Sequence, residues 1–162
     1  MKGARYFLAV AIAAAMVSGP VSAATCWSAD AVDAASIRDF DTSLMVATLR
    51  CRLHGVDISG DYNRFVREKR AVLVANNDVL RAQFAAGRGE KAGLDAFDRF
   101  ATALANSHGA GSDTLGCDDY KALAKAAVAA APNRAALLEL AGRAGVNPAL
   151  PAAPCRGQVA AR

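Results

Sequence analysis

The strongest constraint on this chain is a pair of cysteines that cannot reach each other. Cys26 and Cys51 flank a segment in which Ile37, Phe40, Leu44, Ala47 and Cys51 itself recur in steps of three and four, the period of a helix and not of a strand. The spacing predicts one helix over 29–53, with Ser28 as N-cap and Asp30 and Asp33 near the first turn, where the helix dipole favours acids. About 23 helical residues rising roughly 1.5 Å each hold the two cysteines about 35 Å apart, whereas disulfide Cα atoms lie within about 7 Å. Cys26 with Cys51 is thereby excluded. Of the two remaining pairings of Cys26, Cys51, Cys117 and Cys155, the expectation is Cys51 with Cys117 and Cys26 with Cys155, because an up-down-up path returns the chain near Cys51 before Cys117.

That these cysteines form disulfides at all follows from the start of the chain. Lys2 and Arg5 precede an uncharged run over 6–17, Gly19 and Pro20 break it, and Val21-Ser22-Ala23 supplies the small residues a signal peptidase accepts. At roughly 12 residues, against the 20 or so of a spanning helix, the run is too short for a membrane anchor. The expectation is a signal peptide over residues 1–23, cleavage after Ala23 and a periplasmic or secreted product. Four cysteines in an exported chain read first as two disulfides. Zinc sites bring close cysteine pairs, which these spacings lack, so no metal is implied.

The remainder, residues 24–162, suits a single domain with its own core. Removing Lys2 and Arg5 leaves 17 basic against 15 acidic residues, a balance that gives no support to nucleic-acid binding. A second helix is expected over 61–86, with apolar rows Phe65, Val72, Val79 and Val66, Leu73, Leu80 wide enough for more than one neighbour. Gly87-Arg88-Gly89 stops it. Further helices are expected over 90–107, 117–130 and 133–144, separated by the Gly/Ser/Asp/Thr-rich stretch 108–116 and by Pro132. Nothing alternates at the strand period and no segment repeats. The expected fold is all-α, a four- to five-helix up-down bundle stapled by two disulfides, spanning 24–145, with an extended Pro/Ala-rich tail over 146–162 tethered by Cys155.

Candidate chemistry is sparse. His54 and His108 fall at helix C-termini, where a partly positive imidazole suits the dipole. Antiparallel packing could gather them with Asp57 and Asp113 into a small catalytic or metal-binding cluster, although the first expectation is no catalytic set. Arg64, Arg67, Lys69 and Arg70 form the densest basic segment after the leader, a candidate face for an anionic partner and first of all a solvated helix surface. Asn76 and Asn77, mid-helix, would specify register or line a polar pocket if buried; the simpler expectation is that they face solvent. None of the glutamates, Glu68, Glu90 and Glu139, stands out as a general acid. The chain carries no nucleophile elbow, zinc-protease, P-loop or dinucleotide-binding motif, and no cofactor is implied.

The segments Cys26-Trp27, Leu44 to Arg52 and Tyr62 to Val66 resemble a family of small exported bacterial proteins of unknown activity, over about Cys26 to Leu104. Sequences of this kind are sometimes labelled S-adenosylhomocysteine hydrolase. That label implies a large cytosolic enzyme on a nicotinamide-binding Rossmann domain, whereas this chain has a leader and neither the glycine fingerprint nor parallel strands, so no residue role carries over. The resulting expectation is an exported, non-enzymatic helical module that binds another envelope component, with no membrane span after the leader; the alternative is a small hydrolase or metal-dependent enzyme using the His54/His108 cluster.

Overall fold

Ser28 starts the architecture: its backbone is extended and its Oγ accepts from the Ala31 amide at 3.2 Å, so α1 runs from Ala29 to Leu53. Gly55, at φ 78°, provides the left-handed turn that leads out of α1. A computed structural model describes residues 26–155; the signal-peptide expectation and the last seven residues lie outside the described part. Five further helices follow among the described residues: α2 Ser59–Glu68, α3 Arg70–Ala85, α4 Glu90–Gly109, α5 Cys117–Ala129 and α6 Arg134–Arg143. The all-α expectation holds, and both disulfides pair as expected, Cys26 with Cys155 and Cys51 with Cys117, at Cα separations of 4.9 and 5.4 Å.

One expected helix divides in two. In place of a continuous 61–86 segment, Lys69 adopts φ −103° and ψ 11°, off the helical basin, between α2 and α3. The hydrogen-bond ladder passes through it, Lys69 N–H donating to Phe65 O and Leu73 N–H donating to Lys69 O, while the changed ψ redirects the axis. The cause is the pair of apolar rows. α2 packs against α5, whereas α3 packs against α1 and α4, and one straight rod could not serve both sets of partners.

Two hydrophobic clusters follow from this split, and α1 contributes to both. From Ile37 onward it buries Ile37, Phe40, Leu44, Ala47 and Cys51 with Phe65 of α2, Leu123 and Ala127 of α5 and Leu137 of α6. Its N-terminal half presents Ala31, Ala34 and Ala35 to Leu80 and Phe84 of α3 and to Phe97 and Phe100 of α4. These alanines let α3 and α4 come close. Trp27 closes the second cluster, standing edge-on to Phe84 with centroids 5.3 Å apart.

Residues 146–155, after α6, contain no helix and are held by more than their disulfide. Trp27 N–H donates to Ala153 O and Cys155 N–H donates to Trp27 O, each at 2.9 Å, and Leu150 and Ala152 pack onto the second cluster. Among the described residues no helix is long and apolar enough to cross a membrane.

Candidate functional site

Asp39 is the residue that the helical pattern hides. It sits on the buried side of α1, only 3% exposed, and its Oδ1 accepts from His108 Nε2 at 2.6 Å. That bond fixes the orientation of the imidazole ring against α1. The pair forms where the C-terminal end of α4 reaches the middle of α1. A cavity of about 390 Å³ opens beside it, bounded by Asp39 and Ser43 of α1, the 111–114 loop, Tyr120 of α5 and the turn after α6 that carries Val146 and Asn147.

Each wall has a local cause. Gly111, at φ 102°, leaves no room for a side chain, because the Arg50 guanidinium occupies the place a Cβ would take. Ser112 Oγ accepts from the Thr114 and Leu115 amides, both at 3.1 Å, which folds the loop into a tight turn at the cavity edge. Gly145, at φ 65°, ends α6 by letting Val146 N–H reach back to Ala141 O, and so aims Val146 and Asn147 at the same space. Burial pushes the Tyr120 phenol above its ordinary pKa; the Asp39 charge acts in the same direction, while Arg50 and a hydrogen bond with Ser112 oppose it. The hydroxyls of Ser43 and Ser107 donate at 2.8 Å to Phe40 O and Leu104 O of their own helices. Among the described residues His108 thus has an orienting acid, but no serine, threonine or cysteine hydrogen-bonded to it as a nucleophile.

The alternative four-residue cluster does not assemble. His108 and Asp113 share this cavity, but His54 and Asp57 are exposed at the turn beyond α1. His54 stands 15 residues along the chain from Asp39, roughly 22 Å at 1.5 Å per residue. The ends of α1 and α4 are not level, because α4 ends near the middle of α1. Asp57 instead starts α2: its Oδ1 accepts from Ser59 N–H at 2.9 Å and from Ser59 Oγ at 2.6 Å, and these bonds hold its carboxyl below the ordinary range. No group of three His, Cys, Asp or Glu side chains among the described residues could hold a metal ion.

The expected basic face is also broken up. Arg64, Arg67 and Arg70 are exposed, with Arg64 Nε bonded to Glu68 at 2.7 Å. Lys69 is only 5% exposed, and its Nζ donates to Val128 O near the end of α5 at 2.9 Å. The ammonium satisfies a carbonyl that the last turn of a helix leaves without an internal partner, so Lys69 is part of the framework and not of a binding face. Asn76, expected at the surface, is buried; its Nδ2 donates to Ala34 O at 2.7 Å and its Oδ1 finds no partner among the described residues. A second polar cluster had no sequence signal. Tyr62 donates to Asp41 at 3.2 Å and Arg38 pairs with Asp41 at 3.4 Å, between α1 and α2.

Fold and cavity together define a class: a disulfide-stapled, six-helix all-α domain carrying a polar cavity with an acid–imidazole pair in its wall. Compared with protein-family models, with curated proteins and with solved structures, the chain finds no match.

Proposed function

We propose that the chain is an exported, non-enzymatic helical binding module of the bacterial envelope, and that the cavity beside Asp39 and His108 is where it takes its ligand. The observation that carries this reading is a carboxylate only 3% exposed, held in the wall of an open polar cavity by a 2.6 Å bond to a histidine. Burying an acid costs free energy unless hydrogen bonds compensate, and polar groups of matched shape in a cavity are the usual means of fixing a ligand's orientation. Two disulfides fit the oxidising compartment that the leader implies.

A second reading, a small hydrolase, draws on the same pair: an acid that orients an imidazole is the arrangement of a general base. The serines of the cavity count against it, since the hydroxyls of Ser43 and Ser107 are tied to their own helices. Photo-crosslinking in intact cells tests the cavity as a binding site. A crosslinking residue at Thr114, on the cavity edge, should yield a discrete adduct in the exported protein, and one at Arg88, on the α3–α4 turn, should not. Identical patterns at the two positions would remove the cavity as a binding site. Hydrolytic turnover abolished by His108→Ala would favour the second reading.

A further inference from the structure

We propose that the Asp39–His108 cavity accepts a neutral, polyhydroxylated ligand of mono- or disaccharide size; this rests on reading the cavity as a binding site. Charge excludes the first competitor. The carboxylates of Asp39 and Asp113 face this space and no lysine or arginine lines it; the Arg50 guanidinium lies against Gly111 in the supporting structure. An anion would meet two acids in the lining, offset only in part by the Arg50 guanidinium outside it, which lies near enough to act on Tyr120. A cation fares little better, because Asp39 already accepts from His108, and Asp113 is exposed, where solvent and salt screen its attraction.

The hydrogen-bonding inventory favours hydroxyl groups. Thr114, whose Oγ1 already bonds Ser112 Oγ at 3.1 Å, can still accept, Asn147 offers an amide with both functions, the two carboxylates accept, and the His108 ring has a second nitrogen beside the one bonded to Asp39. A sugar hydroxyl, itself donor and acceptor, can meet any of them without leaving a buried group unpaired. Val146 and Ala144 supply a small apolar patch suited to the C–H face of a ring. A volume of about 390 Å³ is at the small end of the roughly 300–1,000 Å³ of ligand pockets, which limits the ligand to one or two rings.

The test is NMR titration of the full exported chain, disulfides intact, with glucose, N-acetylglucosamine and trehalose as neutral probes and inorganic phosphate and spermidine as charged ones. At least one sugar should give saturable shifts confined to the His108 ring and the 111–114 and 145–147 amides, with a dissociation constant in the millimolar range or below. Asn147→Ala and Thr114→Val, both at exposed positions, should each weaken that binding about fivefold, the loss of one hydrogen bond. A replacement at a remote surface position, Asp95→Asn, should leave it unchanged. If phosphate or spermidine shifts these signals and the sugars do not, the ligand class is wrong while the cavity stands as a binding site. If none of the probes shifts them up to roughly 50 mM, the ligand class fails, and the Thr114 crosslink alone then decides whether the cavity binds anything.

Discussion

At the scale of single residues, two buried polar side chains set the clearest tests. Burial raises the Asp41 carboxyl above its ordinary value, against the opposing charge of Arg38 and the hydrogen bond from Tyr62. The folded chain therefore holds that proton more tightly than the unfolded chain. The stabilisation it gives is fully present below the unfolded pKa and is lost as pH rises through the folded one. Asp41→Asn keeps an acceptor for Tyr62 and Arg38, and should be at least as stable as the parent near pH 7, with the difference shrinking toward about pH 4 in urea unfolding. A difference that grew on acidification would contradict this. Lys69→Met keeps the apolar stem but strands the Val128 carbonyl, and should lower stability by about 1.5–3 kcal/mol, read from the urea midpoint. Neither role is legible in the sequence. Lys69 sits among surface arginines, and Asp39 and Asn76 occupy helix positions whose burial depends on which neighbouring helix arrives there.

At the scale of elements, α1 was readable almost to the residue because its cap, its apolar period and its terminal glycine agree. The division of the 61–86 segment was not. No proline or glycine marks residue 69, and each half keeps good helical periodicity, so the bend is imposed by α5 on one side and by α1 and α4 on the other. The approach of α3 to α4 can be tested at Gly93. A Cβ there would lie 2.6 Å from the Ala85 Cα, backbone that cannot swing aside. Gly93→Ala should gain up to about 1 kcal/mol of helix propensity and still lose about 1–3 kcal/mol overall through overpacking, seen as a lowered melting temperature. A stabilised variant would show that the two helices can separate freely. His54 and Asp57 were misplaced at this same scale, since residue spacing alone gives no level for the end of α4 against α1.

At the scale of the whole molecule, one helix supports two cores, and each has its own disulfide near its edge. Trp27, the sole tryptophan, lies in the second core and so reports on one half. Replacing Cys51 and Cys117 together by serine should cost about 2–4 kcal/mol, chiefly in the half built from α2, α5 and α6. Far-UV ellipticity should then lose its signal at lower denaturant than Trp27 fluorescence, whereas coincident transitions would mean that the halves unfold as one. The all-α class was recoverable from the apolar period; helix length excluded Cys26 with Cys51, and an up-down-up path chose between the two pairings that remained. The cavity was not, because it draws on four segments whose relative heights only packing determines.

The Cys26–Cys155 bond, reinforced by the backbone pairing of Trp27 with the tail, makes the described chain a closed ring. A pulling force applied through the two ends would pass across that sulfur bridge and leave the helices slack-free and unloaded until the bridge is reduced. The same closure makes the position of the ends nearly arbitrary. A permuted chain, joined across residues 26 and 155 and opened at the exposed Gly87–Gly89 turn, would trace the same ring from a different starting point.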